Sequence, residues 1–475
     1  MTDPTLALAD GEGPRSAASG GGHPLLRAGY KRWVVFVLLL VSIVNFADRA
    51  ILAVLAQPIK EDLNLTDTDL GLLQGLGFAI LYSVLGVPLG MLAERVNRTR
   101  LIAICVAIWS LMTMACGSAT GFFTLLLGRI GVGIGEAGVQ PPTSSLLSDH
   151  FRFDRRASVL AIVMLGAPFG FLLGQSVGGW VASAWNWRVA FYVMGVPGIL
   201  IALLVWLTLR EPPRGLADGN TAASPAPSLA TVVRYLLGKP TYLHLLAGGT
   251  ISAFALNAIA IFVLPFYLRG FDMPLAVLGV VFGVVTFTSN GIGMLLGGFG
   301  FDRLSRRDVR WALWGPAVAL LLCIPAYFGA FVSRGIYASL VCVWLGNLVL
   351  ISYLAPTAGT MQNLVGSRMR ATTSALTALV SGLFGAGLGP TAIGMASDFF
   401  AARSFAGADF IASCPGGRGP GGTGTALDMA CRSASAEGLR NALISVLALF
   451  LWAAVHYLLA SRHLKNDLYD ADKEA

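Results

Sequence analysis

From Trp33 onward the chain alternates long apolar runs with short polar stretches. The runs show neither the strict alternation of a half-buried strand nor the single apolar stripe of a surface helix. A helix rises about 1.5 Å per residue, so about 20 residues cross a hydrocarbon core about 30 Å thick. Six runs of that length come first: Trp33–Gln57, Leu70–Ala93, Leu101–Thr120, Phe122–Leu147, Ala157–Ala182 and Trp187–Leu209. Six more follow: Tyr242–Leu268, Pro274–Phe301, Trp311–Val332, Ile336–Thr357, Ala371–Asp398 and Leu439–Ala460. The pattern predicts an all-α membrane protein with twelve transmembrane helices.

The polar stretches divide the chain. Residues 1–32, rich in Gly, Ala and Pro, are expected to form a disordered cytoplasmic N-terminus. They lack the apolar segment and small-residue cleavage site of a removable signal peptide. Residues 211–239 are too polar and Pro-rich to span, and they separate one six-helix bundle (33–210) from another (240–461). Within this linker, Leu229 to Leu237 has the composition of a short amphipathic helix on the cytoplasmic surface. Residues 399–437 read as a Gly-rich extracytoplasmic loop and 462–475 as a cytoplasmic tail.

Composition agrees: 55% of residues are hydrophobic and 12% charged, with a mean hydropathy of +0.71. A soluble domain carries about 25% charged residues. The net charge of +8 does not signal nucleic acid, because Lys and Arg collect in every second gap between spans. One side holds 23 of them and the other 8, with Arg49 and Arg129 inside spans. Basic loops stay in the cytoplasm, so both termini are expected there. Arg outnumbers Lys 28 to 5, which points to a GC-rich bacterial genome and the inner membrane. Cys105, Cys116, Cys323 and Cys342 fall in apolar runs and are expected to pack as small hydrophobes. Cys414 and Cys431 share the outer loop, where an oxidising compartment would allow a disulfide. No CxxC pair or His cluster points to a metal, and no cofactor is expected.

An internal repeat refines the fold. "GMLAERVNRTR" from Gly90 and "GFGFDRLSRRD" from Gly298 both fit Gly-x-x-x-acid-Arg-x-x-Arg, 208 residues apart, each in the same cytoplasmic loop of its half. Two matched halves of six helices make pseudo-symmetric bundles, a transporter architecture. The first loop resembles the signature of the major facilitator superfamily, Gly-x-Leu-Ala-Asp-Arg-x-Gly-Arg-Arg, at Gly90, Leu92, Ala93, Glu94, Arg95, Arg98 and Arg100. Glu replaces the signature Asp, and Asn97 replaces its Gly. The resemblance implies a gate made by Glu94, Arg95 and Arg98, with Asp302 and Arg303 as counterparts. In that family the acid meets the N-terminal end of helix 11, where the helix dipole favours an anion.

Four charges lie inside the spans: Asp48 and Arg49 in helix 1, Arg129 and Glu136 in helix 4. Asp398, at the outer end of helix 11, is expected to reach water. A charge at the bilayer centre costs about 2.5–3.5 kcal/mol even on lenient scales, so such residues pair, face a cavity and work. Asp48 lies about 22 Å above the inner face and Arg129 about 10 Å below the outer one, which nearly coincide. Asp48 is therefore expected to meet Arg129, and Arg49 to reach Glu136. "GIGEAG" (Gly133 to Gly138) matches a dinucleotide fingerprint in letters only, since no strand precedes it. Its glycines instead suit close helix packing beside Glu136. Pro141 and Pro142 should then break helix 4.

"NFADR" together with "GRIGVGIGEAG" resembles the Spinster branch, carriers of lysophospholipid and sphingosine-phosphate type molecules. Asn45, Asp48, Arg49, Arg129, Gly133, Gly135, Glu136 and Ala137 carry the likeness; Phe46 replaces the usual Tyr. Sialin-like organic-anion:proton symporters share a similar arrangement. In the second half the 208-residue shift sets "ALNA" (255–258) against "ADRA" (47–50), replacing charges with Leu256 and Asn257. Asn290 and Asn347 are the other polar candidates there. A cavity charged on one wall and apolar on the other suits an amphipathic anion. Arg49, Arg129, Asn257 and Asn45 are the expected substrate contacts. Asp48 and Glu136 are the expected proton-coupling groups, and Leu256, Phe254 and Ile259 the surface for a tail. The expected function is proton-coupled secondary transport of a lipid-like anion by alternating access. An organic-anion symporter or a drug efflux carrier of the same superfamily is the alternative; "GAPFGFLLGQSVGG" (Gly166 to Gly179) partly matches an antiporter motif. Expected partners are cargo, protons and membrane lipids, with no nucleic acid, the chain acting as a monomer. Five scattered histidines and no nucleophile–base pairing argue against an enzyme.

Overall fold

The computed structural model describes residues 24–469, apart from 215, 218–227, 272, 367–368, 408 and 421. Among them are twelve helices long and apolar enough to cross a membrane, and no strand. The first half comprises α1 (Ala28–Asp62), α2 (Asp67–Gln74 and Leu76–Ala93) and α3 (Arg98–Gly117). It continues with α4 (Phe122–Ala137 and Gln140–His150), α5 (Phe153–Met164 and Gly166–Ala184) and α6 (Trp187–Thr208). The second half holds α7 (Pro240–Phe271), α8 (Leu275–Leu295, continued to Ser305) and α9 (Trp311–Val332). It ends with α10 (Ile336–Ile351 and Leu354–Asn363), α11 (Arg370–Val380, through a π turn to Leu388–Ser404) and α12 (Ala426–Asp467). The outer face of the bundle leaves Phe123, Phe299 and Tyr337 at least 76% exposed, a surface made for lipid rather than water.

Helix ends differ from the hydropathy reading where polar residues extend a helix past the membrane. α1 starts at Ala28, and Pro24–Leu26 forms a short 3-10 turn before it, so 24–32 are ordered. The rest of the expected disordered segment, and the last six residues of the tail, lie outside the described residues. α12 starts at Ala426, thirteen residues before the expected Leu439, and takes up much of the predicted loop. Thr425 caps it by accepting the Asp428 N–H, and Cys431 and Ala434 pack into a small core with Phe410 and Ala401. The Cys414–Cys431 disulfide closes that core. The linker helix Leu229–Leu237 forms as read, burying Val232 and Leu236 and exposing Leu229 and Leu237.

Two breaks matter for the site. α4 breaks at Gly138–Val139, and Pro141 and Pro142 sit in the first turn of its second segment, where no N–H is required. α2 breaks at Gly75, which meets the Gly387 carbonyl of α11 so closely that a Cβ would collide.

The antiporter-like glycines have a packing role: Gly166, Gly170 and Gly174 seat α5 against Ser42, Ile43 and Ala47 of α1. This is the small-residue spacing that lets membrane helices approach. The halves meet along α2–α11 and α5–α8. Gly279 of α8 lies against the Gln175 carbonyl of α5.

Candidate functional site

A cavity of about 350 Å³ lies between the halves. Its first-half wall carries Arg49, Arg129, Gln74 and Gln175 among the rings of Phe46, Phe78 and Phe171. The second-half wall is mainly apolar, with Leu256, Ile259, Val263, Phe282 and Val343. Asn257, Asn290 and Asn347 line it too, on α7, α8 and α10. Leu256 and Ile259 face the space as expected. Phe254 does not: its backbone packs against Gly385 and Gly389 of α11.

Arg49 reaches Glu136 across helices, Nε to Oε2 at 2.7 Å. Its guanidinium also lies over the rings of Tyr82 (4.8 Å), Phe78 (5.0 Å) and Phe46 (5.5 Å). The Arg49 side chain is 27% exposed and Glu136 wholly buried behind it. The arginine faces the cavity, and the carboxylate lies underneath. Glu136 can sit there because Gly135 and Gly131 bring α4 close onto Trp109 and Met112 of α3.

Asp48 goes elsewhere. Successive helical residues point about 100° apart. With Arg49 at the cavity, Asp48 turns into the first half and accepts from the Thr113 hydroxyl at 3.1 Å. No ion pair joins it to Arg129, correcting the depth argument: equal depth does not fix the direction a side chain takes. Arg129 lines the cavity over Phe78 at 5.4 Å, with its Nε unpartnered. Asn45, one turn from Arg49, is not among the lining residues.

Several lining amides lack partners for one atom: Gln74 Nε2, Gln175 Oε1 and Asn290 Oδ1. Asn257 instead donates to the Ala253 carbonyl, and Asn347 accepts from the Tyr327 hydroxyl at 2.7 Å. The sequence reading missed Gln74 and Gln175; a glutamine inside a glycine row of a membrane helix was the available signal.

The expected gate residues are not brought together. Glu94, Arg95, Asp302 and Arg303 are exposed, and no bond among the described residues joins Glu94 to α11. Arg98 is fully buried, but it clamps its own half through Asp149, Glu211 and Ser145. Among the described residues, every hydrogen bond or ion pair joining the halves lies at the end away from the termini. There Asp67 of α2 meets Arg269 of α7 at 2.6 Å and Lys60 of α1 at 2.7 Å. Arg269 also donates to Gln57. Asp398 of α11, expected to be in water, is buried; it accepts the Asp67 and Thr68 N–H groups and so caps the N-terminus of α2. Asp398 was expected in water because it stands at a helix end, where solvation is the default.

A sequence model of the Major Facilitator Superfamily matches residues 38–402. An "MFS-type efflux pump" of Mycolicibacterium smegmatis is 34% identical over 404 residues, covering 84% of this chain and 89% of that protein. Human "Protein spinster homolog 1" is 30% identical over 392 residues, covering 78% and 74% respectively. A crystal structure of a bacterial homolog of the human lysosomal transporter Spinster, inward-facing and unoccupied, superposes with a TM-score of 0.85. It is 32% identical, with 94% of this chain and all of that one covered.

Proposed function

The chain belongs to the major facilitator superfamily, a multi-pass membrane transporter and not an enzyme, and we propose that it is a proton-coupled carrier of single-chain anionic amphiphiles. The observation that carries this reading is the two-faced cavity, with Arg49 and Arg129 on one wall and Leu256, Ile259 and Val263 on the other. An anionic head group binds the arginines by charge-assisted hydrogen bonds, and an acyl or alkyl tail covers the apolar wall. The Spinster-named relatives agree with the branch that the residues around Asp48, Arg49 and Glu136 resemble.

Coupling follows from the layering of the Arg49–Glu136 pair. Cargo that takes the guanidinium leaves Glu136 buried without its counter-ion, and a proton then neutralises it. Cargo and proton are thereby linked reciprocally. With both side chains neutralised, the halves can close over the site at lower cost and rock about it. The loop charges favour termini in the cytoplasm, and on that reading the bonded end is extracytoplasmic. The conformer described is then open to the cytoplasm.

The efflux-pump name of the mycobacterial relative favours a second reading, export of diverse apolar compounds. Calorimetry on the purified protein separates them, using dodecyl phosphate, dodecyltrimethylammonium and dodecanol as probes. The anion alone should bind, and Arg49→Ala should weaken it at least about tenfold, the loss of one charged hydrogen bond. Equal binding of the three probes, unaffected by Arg49→Ala, would favour the efflux reading and overturn ours.

A further inference from the structure

The closed end of the cavity offers more than an anion alone would use. Gln74 is seven residues into α2 and Arg129 seven into α4, while Gln175 stands nine before the end of α5. All three therefore lie about 10–14 Å below the bonded end, in one layer. At that depth α1 contributes Ala53, which leaves room, and the facing wall contributes Leu264 and Phe282, which offer no polar atom.

Each of the three carries an atom without a partner: Gln74 Nε2, Arg129 Nε and Gln175 Oε1. Arg129 and Gln175 are only 4% and 5% exposed. Polar groups in membrane helices commonly act as glue between helices, but glue makes bonds, as Asn347 does with Tyr327. The Gln175 oxygen and the Gln74 nitrogen make none, and a buried polar atom left unpaired is costly. A donor and an acceptor lining the cavity in the same layer as a cation are complementary to a group that both accepts and donates, next to an anion. A bare phosphate ester or carboxylate only accepts. A hydroxyl does both.

We propose that Gln74 and Gln175 form a subsite reading a hydroxyl adjacent to the cargo's anionic group, which Arg129 holds. The inference rests on the cavity being the site of an anionic amphiphile. It sets the cargo's orientation, head toward the extracytoplasmic end and tail toward the cytoplasm. It also sets a class, hydroxylated amphiphiles in preference to simple alkyl anions.

Three probes test it by calorimetry on the purified full chain: dodecyl phosphate, 2-hydroxydodecyl phosphate and 2-methoxydodecyl phosphate. The methoxy compound accepts but cannot donate. Wild type should bind the hydroxyl probe about tenfold tighter than the other two, the worth of one good hydrogen bond. Gln175→Met, close in volume, should erase that preference. Gln74→Met should do the same, and serves if the first variant does not fold. Equal binding of the three probes to wild type would overturn the subsite, as would variants that weaken every probe by one factor. Failure of wild type to bind any probe would remove the anionic-amphiphile reading itself, and the subsite with it.

Discussion

Arg49 is held by two unlike interactions at once, a 2.7 Å bond from Nε to Glu136 and a stack on Tyr82, Phe78 and Phe46. Only a planar guanidinium can donate in its plane while resting a face on aromatic rings; an ammonium is a hydrated point charge. Arg49→Lys should therefore keep the fold and the charge yet slow transport about tenfold or more, since the pair and the stack no longer coexist. A transport assay in proteoliposomes, with melting temperature as the folding check, reads this; a lysine variant as fast as wild type would show that charge alone suffices. At this scale the sequence was half legible. Counting helical rise placed Arg49 beside Glu136, and the pair is there. The same count placed Asp48 beside Arg129, and Thr113 stands there instead, because rise gives depth and leaves azimuth to packing. Gln74 and Gln175 carry no charge to mark them, so only their missing partners reveal them.

At the scale of elements, α2 and α11 are joined by an acidic contact at the end away from the termini. Asp398 of α11 caps the N-terminus of α2 there. Glu94, just past the C-terminal end of α2, matches the family acid that meets the N-terminus of helix 11 at the other end, and here it is free in solvent. On the proposed reading a Glu94 contact would form in the opposite conformer, each contact would place an anion on a helix N-terminus, and the two would close opposite doors. Asp398→Asn weakens the outer contact and leaves the Asp67–Arg269–Lys60 cluster less well covered. Breaking up such buried charge networks costs about 3–5 kcal/mol when a partner is lost. The variant should shift the carrier toward the outward-open form. An Ala53→Cys probe in the cavity should then become reactive to an impermeant thiol reagent from outside, and adding Glu94→Gln should reverse the shift in part. Unchanged reactivity would mean that the outer network does not hold the door. Element type was legible throughout, since apolar runs in a bilayer leave the backbone one common solution. Element ends were not, because caps such as Thr425 and disulfide-bound cores such as that around Cys431 extend helices beyond the hydropathy signal.

For the whole molecule, the repeat at Gly90 and Gly298 foretold two matched halves, and the asymmetry between "ADRA" and "ALNA" foretold a cavity charged on one wall. What the sequence withheld is the conformation: the outer network forms only when residues from α1, α2, α7 and α11 converge, and no local pattern announces that. The central claim is that Arg49 couples cargo to the protonation of Glu136 in a cavity reached from one side at a time. Accumulation of dodecyl phosphate by proteoliposomes under an imposed pH gradient, wild type against Glu136→Gln, tests it most directly. The account predicts that wild type concentrates cargo against its gradient. The variant, permanently neutral at that position, should equilibrate cargo but no longer concentrate it or respond to pH. Accumulation by Glu136→Gln equal to wild type, with the same pH dependence, would contradict it.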